Sequence, residues 1–305
     1  MAFGQAPPSI EFRYLYTFGS KDGIHPRTLL NRRPATAALG RPENPYGLVY
    51  PVAVATDLHR RVWITDSGTL SVHVFDMANR GYREIRRVGD MPLQQPSGLA
   101  VDRQGRIFLT DSGSGAVFVF DEKGEFDHWL VKPRDRVLES PTAIAISGDG
   151  RTIYVADPPK NVVVALNREG EVNGTINLPP ELSEPTAISV AGNQVYVLGN
   201  RYHKVGVFSS GGKQRGEFRW EGIQSPSAFT YDSGQQQFLV ANPRWMIVEV
   251  FNEQGQNLGA LGQPGEGVDQ MRRVDSLHVD SQGLLYLVDS HHGKVLVFAD
   301  SSRGL

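Results

Sequence analysis

The sequence predicts an all-β protein, a six-bladed β-propeller built from four-stranded antiparallel blades. A unit of three short apolar runs recurs six times, and turn residues separate the runs within each unit. The units start at Pro51, Pro96, Pro141, Pro185, Pro226 and Val274, so the successive spacings are 45, 45, 44, 41 and 48 residues. A period in the forties with strand-forming content is typical of propeller blades, which stack on their neighbours to bury both faces.

The clearest copy of the unit runs from Pro96 to Phe120, and it predicts the strands of each blade in order. The innermost strand places small residues such as Ala53 and Gly98 beside bulky ones, which suits packing around a crowded axis. The second strand is a continuous apolar run such as Ile107 to Leu109, which indicates a strand covered on both sides. The third is an apolar run such as Val117 to Phe120, and a more polar fourth strand follows in the first five units.

The sixth unit lacks a fourth strand, because only a few residues follow Phe298. An unassigned strand-like run, Glu11 to Gly19, lies before the first unit. We expect this N-terminal strand to complete the last blade, which removes an exposed sheet edge. The predicted organisation is a disordered N-terminus at 1–9, one propeller at 10–300 with a long entry loop at 20–50, and a tail at 301–305.

Composition excludes several classes of function. The chain has 305 residues and no cysteine, so it holds no disulfide, thiolate metal site or cysteine nucleophile. Its formal net charge of -2 argues against DNA and RNA partners, which require an excess of Lys and Arg. No apolar run is long enough to span a membrane.

The repeated pattern resembles the NHL repeat. It reads Pro-x-Gly/Ala-apolar-Ala-apolar-Asp, then Gly, then apolar-aromatic-Val-Thr/Ala-Asp, and ends on Val-x-Val-Phe. The resemblance covers residues 51 to 300 and implies a six-bladed propeller. Members of the family mostly bind proteins, peptides or other ligands through one face, and a minority are enzymes. Similarity to exported bacterial members, together with the absence of cysteine, favours export over a cytoplasmic location.

An acidic residue ends the second strand in four units, and two interpretations are open. The residues are Asp66, Asp111, Asp157 and Asp289, with Asn200 and Asn242 near the same place in units four and five. Such a ring of carboxylates would hold a cation in the channel. Alternatively, each side chain caps its own tight turn, and its repetition in most blades favours this structural role.

Departures from the repeat are better candidates for function. In the turn between the second and third strands, units one and two carry small residues, whereas the later units carry Arg201, Tyr202, His203, Arg244, Trp245, His291 and His292. Arg, Tyr and Trp dominate binding hot spots. These turns share a face with the loops that connect blades, so we predict that this face binds a partner; the alternative is that the side chains only cover loop backbone.

The innermost strand of blade six departs from the repeat at Asp275 and His278. His278 stands where other units have a small residue, and it is interpreted either as a ligand-binding or acid–base group or as a buried, hydrogen-bonded histidine. His73 alternates outward in a third strand and is predicted to be a surface residue.

The sequence therefore predicts a non-catalytic binding or assembly scaffold for a protein or peptide, monomeric by itself, with no cofactor and no metal. Two alternatives are a metal-dependent lyase or lactonase at the channel mouth near Asp275 and His278, and a structural ring within a larger assembly. The chain has no His-Glu-x-x-His or Gly-x-Ser-x-Gly motif.

Overall fold

The computed structural model describes residues 12–19, 47–202, 204–220 and 222–300. The predictions for 1–9, for most of the 20–50 loop, for His203 and for the 301–305 tail lie outside these residues. Six four-stranded antiparallel sheets form the blades of a propeller ring, as predicted. Among the described residues, no helix is long and apolar enough to cross a membrane.

The first three blades follow the repeat closely, with each innermost strand first in the chain. Blade one contains β2 (Pro51–Thr56), β3 (Arg61–Asp66), β4 (Ser71–Asp76) and β5 (Gly81–Ile85), followed by a small hairpin of β6 (Arg87–Val88) and β7 (Met91–Pro92). Blade two contains β8 (Pro96–Val101), β9 (Ile107–Asp111), β10 (Ala116–Phe120) and β11 (Phe126–Val131). Blade three contains β12 (Ile144–Ile146), β13 (Ile153–Asp157), β14 (Val162–Leu166) and β15 (Val172–Asn177).

The last three blades keep the same order, and the N-terminal strand closes the ring. Blade four contains β16 (Pro185–Ala191), β17 (Gln194–Gly199), β18 (Lys204–Ser209) and β19 (Gln214–Phe218). Blade five contains β20 (Phe229–Asp232), β21 (Gln237–Asn242), β22 (Ile247–Asn252) and β23 (Asn257–Leu261). Blade six contains β24 (Val274–Val279), β25 (Leu284–Asp289) and β26 (Lys294–Asp300), with β1 (Phe12–Phe18) as its outer strand. Short 3-10 helices lie at Pro158–Lys160 and Pro180–Leu182.

The hydrophobic core is divided among the interfaces between neighbouring blades. The described residues form six buried clusters, each of which draws on two adjacent blades. In the cluster that joins blades six and one, Phe18 from β1 is fully buried and its ring lies 4.7 Å from that of Phe75. The closing strand therefore contributes to an interface as well as to sheet pairing.

Crowding near the axis explains the small residues of the innermost strands. A Cβ at Gly98 would lie 2.3 Å from the carbonyl oxygen of Thr142 in the next blade. The Thr110 hydroxyl donates to the same carbonyl oxygen at 2.6 Å, and the Thr65 hydroxyl donates to the Ser97 carbonyl at 2.6 Å. Hydrogen bonds thus link neighbouring blades where only small side chains fit.

Candidate functional site

One face of the ring carries the turns between second and third strands and the segments that lead from one blade to the next; we call it the loop face. The two kinds of segment are in contact, because the Ser67 amide in the blade-one turn donates to the Tyr50 carbonyl at 3.0 Å. In blade two, the Ser112 amide donates to the Gln95 carbonyl at 2.9 Å. The predicted site residues in these turns that the structure describes therefore share the loop face.

Buried aspartates join the two kinds of segment. Asp66 accepts hydrogen bonds from the amides of Gly68 at 2.8 Å and Thr69 at 3.0 Å within its own turn. It also accepts from the amides of Val49 at 2.6 Å and Tyr50 at 3.0 Å, in the segment that enters the blade. One fully buried carboxylate thus satisfies four backbone donors, two more than turn capping alone requires.

The same position varies in the other blades. Asp111 repeats the four contacts of Asp66. Asp157 accepts backbone hydrogen bonds from the entering segment, and Pro159, two residues further on in its own turn, has no N–H group to donate. Asp289 accepts from the Arg272 amide at 2.9 Å and the His292 amide at 3.2 Å. All four carboxylates are fully buried and bonded to backbone amides.

Blade four has no such carboxylate, and Asn200 lies one residue beyond the equivalent position. Gly199 pairs with Pro185 as Asp66 pairs with Pro51, so Gly199 holds the equivalent position. A Cβ there would lie 2.5 Å from the backbone of Leu182. In blade four the entering segment therefore packs directly on the turn. In blades one, two, three and six, a buried aspartate side chain lies between these two segments and bonds to the entering one.

Blades four and five present matching arginine–aromatic pairs on the loop face. The Arg201 guanidinium lies 5.7 Å from the centroid of the Tyr202 ring, and the Arg244 guanidinium lies 5.2 Å from that of Trp245. Tyr202 is 53% exposed and Trp245 57%. Within the described residues, neither guanidinium lies within 4.0 Å of a carboxylate oxygen. These distances correspond to cation–π contacts, and both arginines are exposed.

Three further exposed hydrophobic residues lie on this face, in blade one. They are Val49, Tyr50 and Leu70, and together with Tyr202 and Trp245 they make five of the seven large hydrophobic residues exposed among those described. Of the other two, Leu58 lies in a turn of the opposite face, and Val172 is the first residue of β15 at that same end of the blades. The three residues in blade one were not predicted from the sequence, although Leu70 stands where blade two has a glycine and adopts a positive φ of 52°.

In blade six, His292 and Lys294 hold the segment that arrives from blade five. His292 Nδ1 lies 2.7 Å from Asp289 Oδ2, and His292 Nε2 lies 2.6 Å from Glu266 Oε2. The buried Lys294 ammonium donates to the carbonyl oxygens of Gly267 at 2.7 Å and Gln270 at 2.6 Å. The bond from His292 is the main reason that the pKa of Glu266 is lowered, and burial lowers the pKa of Lys294. His291, by contrast, is exposed.

Asp275 and His278 are not brought together. A bulge in β24 between Val274 and Ser276 leaves Asp275 near the loop face, where Arg273 donates to it at 2.7 Å and Ser290 bonds to it. His278 lies near the other end of the strand.

At that end, His278 Nε2 is 2.9 Å from the Thr56 hydroxyl of blade one. The Thr56 amide also donates to this nitrogen at 3.3 Å, which assigns the acceptor role to Nε2. Burial lowers the pKa of His278 to about 4, so its ring is neutral at pH 7. No three His, Asp or Glu side chains within the described ranges gather as a metal site.

The prediction that His73 lies on the surface is wrong. His73 is 1% exposed; its Nδ1 lies 2.8 Å from the Tyr82 hydroxyl and its Nε2 3.1 Å from the Thr69 hydroxyl. Burial lowers the pKa of His73. Strand alternation places His73 on the side of β4 that faces blade six, and in a propeller both sides of a third strand are covered. Thr69 and Tyr82, the polar residues near His73 in the sequence, are the signal that indicates this network.

The ring of six four-stranded sheets defines the chain as a six-bladed β-propeller. It contains an NHL repeat: the profile of that family matches residues 93–120, which lie in blade two, and the six-bladed arrangement agrees with it. A comparison with curated protein sequences found no match.

Several solved structures have a similar fold. A catalytically inactive virginiamycin B lyase from Staphylococcus aureus with quinupristin is 14% identical, with a TM-score of 0.61 over 81% of this chain and 80% of the other. A streptogramin B lyase structure is also 14% identical, with a TM-score of 0.62 over 97% and 99% of the two chains. A chain of a nidogen/laminin complex is 16% identical, with a TM-score of 0.62 over 80% and 90%. At these identities the likeness shows the fold alone.

Proposed function

We propose that this propeller is a non-catalytic binding module that recognises a protein or peptide partner through the loop face of blades four, five, six and one. The observation that carries the proposal is the concentration of exposed hydrophobic residues there, five of the seven among the described residues. Tyr202 and Trp245 stand beside arginines, and these three residue types are enriched in binding hot spots.

The construction of the loop face supports this role. Asp66, Asp289 and Lys294 bond to the backbone of the segments between blades, so these parts of the surface are ordered before a partner arrives. A preorganised surface loses less conformational entropy on binding, which raises affinity. The nidogen/laminin complex includes a propeller of the same fold within a protein complex.

A metal-dependent lyase or lactonase is the second candidate, because two of the solved structures of this fold are lyases. The residues that the sequence analysis assigned to that chemistry favour it less. Asp275 is paired with Arg273 near the loop face, whereas His278 is bonded to Thr56 near the other end of the strand. A single ion does not reach both side chains. A structural ring in a larger assembly is the third candidate.

The test is crosslinking in an extract of the native source, followed by identification and purification of the captured protein. Its Kd is then measured with the wild type and with a Tyr202→Ala/Trp245→Ala variant. The control is Leu58→Ala/Val172→Ala, which removes similarly exposed side chains from the opposite face. Loss of two aromatic hot-spot residues is expected to weaken binding about thirtyfold, or about 2 kcal/mol.

An unchanged Kd for the Tyr202→Ala/Trp245→Ala variant, with loss of binding for the control, would refute the proposed face. Crosslinks confined to outer strands such as β5 and β11 would favour the structural-ring candidate. A stoichiometric metal that purifies with the wild type and is lost in His278→Ala would favour the enzyme.

A further inference from the structure

We propose that the two arginine–aromatic pairs form a two-point site for an acidic, extended peptide segment, in which each arginine binds one Asp or Glu carboxylate of the ligand. The inference rests on the proposed function and goes beyond it by naming the chemistry of the partner. The pairs are Arg201 with Tyr202 and Arg244 with Trp245.

The two pairs occupy equivalent places in adjacent blades. Both arginines stand at the turn position that holds Gly68 in blade one, two residues after the end of the second strand. Both aromatic residues stand at the next position, which holds Thr69. The rotation that relates neighbouring blades therefore also relates the backbone positions of the two pairs, so the ring sets the separation between them.

The chemistry of each pair suits a carboxylate beside an apolar group. A guanidinium is planar and offers a fork of N–H donors that matches a carboxylate in a bidentate manner. Contact with Tyr202 or Trp245 restricts the arginine side chain, and each arginine remains exposed to a ligand. The exposed remainder of each ring is available for an apolar side chain of the ligand next to the acidic one.

Arg201 and Arg244 differ from other cationic side chains of the loop face, which are paired with carboxylates. Three neighbouring cations form ion pairs: Lys204 Nζ lies 3.1 Å from Glu217 Oε1, Arg272 Nε lies 2.9 Å from Glu266 Oε1, and Arg273 Nε lies 2.7 Å from Asp275 Oδ1. Arg201 and Arg244 have no such partner within the described residues. Two unpaired cations, set apart from each other by paired ones, complement two separate carboxylates on a peptide. A nucleic acid backbone instead requires a continuous basic track. The observations thus favour an acidic peptide over RNA.

The geometry also restricts the ligand sequence. Because the ring holds the two pairs at one separation, the two acidic residues of a bound peptide must have a constant spacing along its chain. Each is expected to have an aromatic or aliphatic residue beside it.

The experiment selects a display library of random linear peptides on the immobilised wild-type protein, and in parallel on Arg201→Gln/Arg244→Gln. Wild-type pools are expected to converge on peptides with two acidic residues at a constant spacing, and pools from the variant are not. The most enriched peptide is then synthesised with a fluorophore, and its Kd is measured by fluorescence anisotropy. Each single arginine substitution is expected to raise the Kd about tenfold, and added salt is expected to raise it further.

The matched control is Arg151→Gln, an exposed arginine on the opposite face, which is expected to leave the Kd unchanged. Equal unfolding midpoints for all variants would exclude misfolding as the cause of lost binding. A labelled oligouridylate serves as the RNA probe, and tighter binding of this probe than of the peptide would overturn the proposal.

The remaining outcomes separate this inference from the proposed function. Peptides that require Trp245 and show no acidic preference would overturn the inference and leave the proposed function standing. Peptides whose binding is insensitive to Tyr202→Ala/Trp245→Ala would overturn both. A selection that enriches nothing on the wild type would overturn the inference alone, because the proposed function also admits a folded protein partner.

Discussion

Replacing His278 by alanine is expected to reverse the order of stability between the wild type and the variant as the pH falls. Alanine is the residue at the matching place in blades one, two and three, so the substitution fits the innermost strand. At neutral pH the wild type keeps a hydrogen bond between Thr56 and the neutral imidazole, which the variant lacks. The loss of that bond is expected to cost about 1 kcal/mol.

Acid reverses this advantage because burial lowers the pKa of His278 to about 4 in the folded state. In the unfolded chain a histidine has a pKa of about 6.5. Between these values the unfolded state binds more protons than the folded state, so stability falls as pH falls through this window. Through His278 the wild type loses about 2.5 kcal/mol of its free energy of unfolding between about pH 7.5 and about pH 4.5. Because the hydrogen bond to Thr56 offsets about 1 kcal/mol of this loss, the variant is about 1.5 kcal/mol more stable at the lower pH.

Urea unfolding followed by tryptophan fluorescence measures the free energy of unfolding of both proteins across this pH range. Asp280, whose pKa is raised by burial, and His73, whose pKa is lowered by burial, are present in both proteins. Their contributions cancel in the difference between the two profiles. Parallel profiles for wild type and variant would refute the argument, because they would mean that His278 takes up a proton in the folded state as easily as in the unfolded chain.

Three further substitutions test the contacts that organise the ring. Asp111→Ala leaves four backbone amides without their acceptor and is expected to lower the free energy of unfolding by about 3 kcal/mol or more. Asp149→Ala, on an exposed turn, should leave the free energy of unfolding nearly unchanged. Equal effects of the two substitutions in urea unfolding would contradict the role of Asp111. Phe18→Ala removes a fully buried ring between blades six and one and is expected to cost about 3 to 5 kcal/mol, measured by thermal and urea unfolding; a cost below about 1 kcal/mol would mean that β1 is not needed for closure. Lys294→Met removes the donors to Gly267 and Gln270 and should speed amide hydrogen exchange in that segment more than elsewhere, a pattern that uniform exchange rates would exclude.

The repeat made the ring predictable. Six apolar units with the spacing of propeller blades require stacked sheets, because one thin sheet cannot bury both of its faces. The missing fourth strand of blade six and the spare strand before Pro51 together predicted how the ring closes. The structure pairs Phe12 to Phe18 with β26 in that place.

The candidate site was only partly predictable. The sequence singled out Tyr202 and Trp245 as departures from the repeat, and both are exposed on the loop face. Strand alternation assigned His73 to the surface, but that rule does not tell which side of a strand a neighbouring blade covers. The sequence also does not tell which partners Asp275 and His278 contact. Asp275 bonds to Arg273 near the loop face, whereas His278 bonds to Thr56 of blade one near the other end of the strand.

By itself, the sequence determined the number of blades, the strands within them and the turn positions where the repeat is broken, because a periodic pattern of apolar runs encodes local structure directly. Only the tertiary structure decided that buried aspartates bond to segments 16 to 18 residues away in the chain. It also decided that exposed hydrophobic residues from blades four, five and one share one face. These features join residues that are distant in sequence, and only ring closure fixes which of them meet.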